Sequence, residues 1–566
     1  MRTIYRLNLT TGEATKEEAP PRYVKLGGRA LTAAVLLDEV DPAAHPLGPK
    51  NKIVIAPGLL GGTTVPNSGR LSVGGKSPLT GGIKESNAGG TAADRLARLG
   101  IKALIIEGQA PGKTYTARVT QEGVEFIPAP QLAGKGNYET AGLLRNRYGP
   151  RASLITVGPA GERGYAAAGI AVTDLEGRPS RMCGRGGLGA VLGKKGLKAL
   201  VIEAPGAPLR SPARKDHFQE TLQKYREIIL ANPATASYAD YGTAAMVDVM
   251  NEIGGLPTRN FSRGRFAGAG RINAARLREN ILSRGGAGKP THPCMANCLV
   301  KCSNVYPDET GKELVSPLEY ETIGLLGANL GIADLDAIAA LNHRCNDLGI
   351  DTIETGGALG VAMEAGLAPF GDADAAFFLL DEIAGGTVLG RVLGQGAMVT
   401  GRVFGVTRVA AVKGQGLPAY DPRALKGVGV TYATSPQGAD HTAGQTVRAK
   451  VDHRRPEGQA DVSWNAQVNF AVFDALGLCM FVIPSLVAHP EVLADLVAYF
   501  HGWDFTAEDL RELGRQVIRT EREFNAQAGF TRAHNRLPEF FREEILPDTQ
   551  TVFDVPEEEL DSLEVR

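Results

Sequence analysis

Three thiols spaced four residues apart, Cys294, Cys298 and Cys302 in HPCMANCLVKC, are the side chains of this sequence best suited to metal chemistry. They cannot pair among themselves without leaving one over, and thiolates are soft ligands for iron–sulfur clusters, zinc or copper(I). A [4Fe–4S] cluster requires a further cysteine, and Cys183, Cys345 and Cys479 are all candidates. Structural zinc would call for a second close pair or a C-x2-C knuckle, which this sequence lacks. A plain stripe of buried cysteines is the remaining alternative.

Two glycine-rich stretches suit anions. GRLSVGGKSPLTGGIKESNAGG, residues 69–90, mixes glycines with Arg70, Lys76, Ser77, Lys84, Ser86 and Asn87. Glycine turns free backbone N–H groups to form anion nests, arginine adds bidentate contacts, and the Asn87 carbonyl could ligate magnesium between phosphates. No Walker A spacing is present, and an ordinary structural loop is an equal alternative. SRMCGRGGLGAVLGKKGLKAL, residues 180–200, sets Arg181 and Arg185 before a helix-capable run and resembles an anion site at a helix N-terminus. Its GRGGLG follows no clear strand and has no well-placed acidic partner, which argues against a dinucleotide site.

The elements that must position these groups change character along the chain. Short β-type runs at 52–56, 103–107, 115–119, 124–127, 153–157 and 199–203 alternate with Gly, Pro and Asp turns up to about residue 208. The linker PGAPLRSPARKD follows, and from Asp216 the apolar spacing turns helical. Helices are expected over 317–329, 334–348, 352–365, 375–384 and 388–404, and then over 463–475, 491–503 and 507–528. The pattern predicts an α+β multidomain protein, with a strand-rich domain over 1–208 and two mainly helical domains over 209–407 and 408–566. NDLGID (346–351) and DALGLC (474–479) echo one another at the ends of helical stretches, as two grips on two copies of one ligand would.

Composition narrows the function. Single hydrophobic cores stop growing at roughly 250–300 residues, so 566 residues require several. Lys+Arg and Asp+Glu nearly cancel, 61 against 62, which gives no support to nucleic-acid or anionic-membrane binding. No secretory leader and no apolar run of about 20 residues is visible. Six cysteines are too few for a disulfide scaffold, and their clustering suggests metal binding in a reducing cytoplasm.

Many short motifs, in order from Arg6 to about Arg542, resemble the aldehyde ferredoxin oxidoreductase family. They are RLNLTTGE, APGLLGG, GRLSVGGKSPLTG, SNAGG, VGPAGE, GRGGLGAVLG, the cysteine cluster, EYET, ANLGI, NDLGIDTI, LPAYDPR and DALGLC. The resemblance implies tungsten or molybdenum held by two pterin cofactors whose phosphates share a magnesium ion. On the matching positions, Arg70 would lie between cluster and pterin and Asn87 would bind the magnesium. Gly89, Arg181, Met182 (through its carbonyl) and Gly184 would complete the cradle. Asn346, Gly349 and Asp351 in one D-x-x-G-L-[CD] motif, and Asp474 and Leu478 in the other, would grip the pterins. Cys479 would be the fourth cluster ligand, leaving Cys183 and Cys345 as small buried hydrophobes.

The resemblance also implies oxidation of an aldehyde to a carboxylic acid, with electrons leaving through the cluster to ferredoxin or a similar iron–sulfur carrier. Glu321, the second acid of EYET, and His441, in YATSPQGADH, match the family's glutamate and histidine near the metal. Both residue types suit proton transfer; by pattern alone Glu321 reads as a solvated helix residue and His441 as a loop histidine. Three departures stand out. The thiols are spaced C-x3-C-x3-C where the family commonly has C-x2-C-x3-C. Ala340 breaks the E-x-x-H pair ahead of His343, which argues against a homodimer bridged by iron there and leaves one held by other contacts open. Asn346 stands where the first grip has an acid. Rival readings are the catalytic subunit of a complex reducing an acid, thioester or ring, and a non-catalytic electron relay.

Overall fold

Aliphatic and β-branched runs cut by turn residues give the first third of the chain two six-stranded sheets, in a computed structural model that describes residues 1–566. The strands are β1 (Thr3–Asn8), β2 (Glu13–Glu18), β3 (Ile53–Pro57), β4 (Leu71–Lys76), β5 (Ile83–Ala88) and β6 (Ile101–Glu107). Then come β7 (Tyr115–Val119), β8 (Val124–Pro128), β9 (Ser153–Thr156), β10 (Ile170–Val172), β11 (Arg181–Cys183) and β12 (Leu197–Ile202). The first sheet has the order β2-β1-β6-β3-β4-β5 and the second β11-β10-β9-β12-β7-β8. Only β1/β6 and β7/β12 run parallel. Strands β3, β6 and β12 are buried on both faces, so they read as continuous apolar runs rather than alternating ones.

The 69–90 stretch, expected to form glycine turns, is for the most part an antiparallel hairpin. β4 pairs with β5, Ser72 opposite Asn87 and Gly74 opposite Glu85. Its polar, glycine-rich sequence conceals strands because the helix Gly28–Glu39 lies directly across it. A Cβ on Gly74 would come within 2.5 Å of the Thr32 Cβ. β5 and β11 are the edge strands of their sheets and lie against each other. The Arg185 amide, just past β11, donates to Ser86 Oγ at 3.3 Å. This seam brings the two expected anion-binding segments together.

The remainder is mainly helical, as the spacing predicts. Leu335–Leu348, Thr352–Glu364, Gln459–Leu476, Pro490–His501 and Ala507–Gln527 occupy the expected stretches. The 388–404 stretch is broken into Val388–Leu393 and Ala397–Phe404, because Gly394 and Gly396 interrupt it. The 317–329 helix begins only at Tyr320 and passes into a π turn over Ile323–Gly327. No single helix is long and apolar enough to cross a membrane.

Three large cores hold these parts together. One lies between the sheets, and the largest fills the helical part. The third joins Leu59 and Leu60 of the first stretch to Met295 and Val300 of the second and Val472 and Leu496 of the third. Three of the six cysteines are in that last core, with Cys294 packed against it.

Candidate functional site

The thiol loop follows a short strand, Lys289–His292, and is folded by two non-glycine residues in the left-handed region, Asn297 (φ 55°) and Lys301 (φ 51°). Cys298, Cys302 and Cys479 are buried. Asn67 binds the arrangement: its N–H donates to the Asn297 carbonyl at 3.3 Å, and its carbonyl accepts from the Cys479 N–H at 2.9 Å. Its Nδ2 donates to Cys298 Sγ at 3.3 Å and its Oδ1 accepts from Leu299 N–H at 3.1 Å. Nothing in VPNSGR marked Asn67 as functional, since its role is to satisfy backbone groups from distant segments. The Gly90 N–H donates to the Cys294 carbonyl, and a Cβ on Gly89 would stand 3.1 Å from Cys294 Sγ.

The electrostatics fit a positively charged inorganic group. Burial pushes the Cys479 thiol up to about 11 and Cys302 well above its usual range; neighbouring thiols add to both shifts and Arg70 opposes the first. Cys294 is raised first by its hydrogen bond to Cys298 and then by burial, while Cys298 is lowered by that same bond. Thiols so crowded ionise readily only beside a cation. No three His, Cys, Asp or Glu side chains gather tightly enough to hold one metal ion. Four cysteines gathered in and against one core supply the ligand number of a [4Fe–4S] cluster. Cys183 and Cys345 lie apart, fully buried in the sheet core and the helical core, and burial raises both.

A cavity of about 840 Å³ opens beside the thiols. Arg70, Asn87, Gly89, Arg181, Met182 and Gly184 all line it, together with Cys294, Cys302 and Cys479. Arg181, carried by edge strand β11, donates from Nη1 to Ser303 Oγ at 2.8 Å; its buried Nε and Nη2 have no hydrogen-bond partner, although Nη2 lies 3.9 Å from Asp174 Oδ2, and Ser180 Oγ has none either. Unpartnered buried guanidinium N–H groups on a cavity wall fit a phosphate. Asn87 is placed otherwise than a free magnesium ligand. Its Oδ1 and main-chain oxygen accept from Arg70 Nε and Nη2 at 2.6 and 3.0 Å, and its Nδ2 donates to Asp474 Oδ1 at 3.1 Å.

The GRGGLG segment does not present a helix end to a ligand. Its helix, Leu188–Lys194, is short and buried, and Gly189 packs so closely that a Cβ would meet the Gly169 carbonyl at 2.1 Å. Arg185 does reach the cavity, donating to Asp351 Oδ2 at 3.2 Å and to the Ala439 and Gly416 carbonyls.

The two echoing motifs share a backbone geometry. Gly349 (φ 69°) and Gly477 (φ 78°) each end a helix in the left-handed conformation. Each packs against a glycine of the first stretch, Gly158 and Gly58 respectively. Asn346 and Asp351 line the cavity, and Asp351 also caps the next helix by accepting from the Ile353 and Glu354 amides. Gly349, Asp474 and Leu478 are not in the cavity wall. Gly349 serves the turn, Leu478 lies in the thiol core, and Asp474 sits behind Asn87, accepting from Arg29 Nη1 at 3.3 Å.

Glu321 and His441 meet at the wall of the same cavity. His441 Nε2 lies 3.5 Å from Glu321 Oε1, with both side chains about 15% exposed or less. Glu321 Oε2 accepts from the Ala419 N–H at 2.8 Å, whereas Oε1 and His441 Nδ1 have no hydrogen-bond partner. Burial raises the Glu321 carboxyl above its usual range, against the opposing pull of His441, the Ala419 amide and Arg185. Glu321 owes its position to the first turn of the helix at Tyr320, directly before the π turn, a distortion frequent at functional sites. Glu319 faces the thiols instead, accepts from Thr243 Oγ1, and is likewise raised by burial.

Residues 4–204 match a family model described as the aldehyde ferredoxin oxidoreductase N-terminal domain, and residues 220–563 match its domains 2 and 3. A tungsten-containing aldehyde ferredoxin oxidoreductase of Pyrococcus furiosus is 35% identical, covering 96% of this chain and 91% of that protein. An aliphatic sulfonate oxidoreductase, WOR-like subunit, of the same organism is 26% identical, covering 88% and 81%. Among solved structures, the active site complex BamBC of benzoyl coenzyme A reductase in complex with 1,5-dienoyl-CoA has the same fold. Its TM-score is 0.82 at 21% identity, covering 100% of this chain and 94% of that one.

Proposed function

The chain belongs to the aldehyde ferredoxin oxidoreductase family, and from that premise we propose that it oxidises aldehydes to carboxylic acids with a tungsten or molybdenum bis-pterin centre. When bound, that centre accepts two electrons, and a [4Fe–4S] cluster passes them singly to ferredoxin or a similar carrier. Cys294, Cys298, Cys302 and Cys479 would hold the cluster. Arg181, Ser180 and Met182 would hold the pterin phosphates, with Arg70 between the two groups and magnesium near Asn87. The six cysteines are all unpaired.

The observation that carries this reading is the free Oε1 of Glu321, set 3.5 Å from His441 Nε2 on the wall that also presents the thiols. A carboxylate whose basicity is raised by burial is suited to take a proton from the water that attacks the aldehyde carbon. His441, beside it, would donate a hydrogen bond to the aldehyde oxygen. Tyr420 is buried beside it, its ring centroid 5.9 Å from the imidazole.

Glu321→Gln tests the assignment. The variant, purified anaerobically, should retain one tungsten or molybdenum and four irons per chain by elemental analysis. Its kcat for aldehyde-dependent viologen reduction should fall by about 100-fold to 10,000-fold, the usual contribution of general base catalysis. Full activity in the loaded variant would remove Glu321 from the reaction.

A further inference from the structure

The cavity is chemically divided. Four residues of its wall are exposed and mark the mouth: Arg448, Lys450, Asn465 and Val487. The only carboxylates of the wall, Glu319, Glu321, Asp351 and Asp440, are buried or half-buried. The mouth therefore carries two cations and no anion. The wall also includes Tyr238, Met246, Val447, Phe470, Phe481 and Ile483, an apolar and aromatic group.

Arg448 is held in place without being neutralised. Its guanidinium lies 4.9 Å from the Tyr238 ring centroid, and Nη2 donates to the Tyr238 hydroxyl at 2.8 Å. Tyr238 in turn packs against Phe481 at 4.6 Å. Stacking fixes the planar fork while its other N–H groups stay available, and such a fork matches a carboxylate or phosphate. Tyr420 stands at the reacting end, its ring centroid 5.9 Å from the His441 imidazole, and burial chiefly raises its phenol.

We infer that the substrate carries a negative charge at the end remote from its reacting carbon, and that Arg448, assisted by Lys450, takes that charge. The inference rests on the proposed aldehyde oxidation for the identity of the reacting group alone. The site at the mouth is distinct from the phosphate-suited group at Arg181, which lies next to Ser303 in the thiol loop's outgoing strand.

Calorimetry on the holoenzyme without an electron acceptor tests it, with 4-(hydroxymethyl)benzoate and benzyl alcohol as probes. The carboxylated probe should bind about tenfold tighter, the scale of one charge-assisted contact that is partly exposed. Arg448→Ala should abolish most of that preference, with Arg448→Lys intermediate, and benzyl alcohol affinity should move less than about twofold. 4-(Hydroxymethyl)phenyl phosphate, measured alongside, tells whether carboxylate or phosphate is the better anion. Equal binding of charged and neutral probes, or equal weakening of both by Arg448→Ala, would overturn the inference and leave Arg448 as a support for Tyr238. Should the charge preference and its loss appear while neither 4-formylbenzoate nor benzaldehyde reduces the dye, the anionic end stands and aldehyde oxidation fails.

Discussion

Glu321 has one oxygen engaged by the Ala419 amide and one left facing His441. Burial holds its pKa above the ordinary 4.5, with the nearby positive groups opposing. A base must be ionised to accept a proton, so activity should rise as pH climbs through that raised value. The acid limb of kcat/KM therefore lies above 4.5 and is missing from the residual activity of Glu321→Gln. A pH–rate series on both proteins checks this; an unchanged limb in the variant assigns it to another group. Residue type alone made Glu321 look like a solvated helix position, because the pattern extends the helix back to 317 and hides the cavity in front of Tyr320. The cysteine triplet was legible because its spacing has few uses. Asn67 was not legible, because a residue that satisfies main-chain groups leaves no motif.

At the scale of elements, apolar periodicity located helices such as Leu335–Leu348, Thr352–Glu364 and Ala507–Gln527 and the strands β3, β6 and β12 to within a few residues, but it missed the helices Gly28–Glu39 and Asn137–Tyr148 inside the strand-rich stretch. It failed where polarity and glycine conceal a strand, as in β4 and β5, and where closely spaced glycines cut a helix, as at Gly394 and Gly396. Glycine also permits close approach. The helix Leu188–Lys194 packs on Pro159–Arg163 with Gly193 against the Gly161 carbonyl, while Gly189 lies against Gly169. Gly189→Ala should lower stability by about 1–3 kcal/mol through overpacking, read as a lower urea midpoint. Gly142→Ala is the control: it is exposed in the helix Asn137–Tyr148 and its Cβ meets nothing within 4 Å. Relieving a mid-helix glycine there should add about 0.5–1 kcal/mol. Equal midpoints for the two variants would refute the packing account.

At the scale of the molecule, a buried ion pair ties the beginning of the chain to its end. Arg29 Nε and Nη2 donate to Glu521 Oε1 and Oε2, each at 2.8 Å, and Nη1 to Asp474. Arg29→Met leaves two acids buried without their counter-ion and should cost about 3–5 kcal/mol. A second substitution, Glu521→Leu, should restore part of the loss. Anaerobic unfolding curves for the single and double variants measure both effects, and a single variant as stable as the parent would show the tie to be dispensable.

The Asn67 junction has a consequence for manufacture. Its contacts reach Asn297 in the middle of the chain and Cys479 near the end. During synthesis the Cys294–Cys302 loop leaves the ribosome long before Cys479 exists, and waits without its last neighbour. Any inorganic group gripped by all four sulfurs is thus a late delivery, complete only once synthesis has passed Cys479.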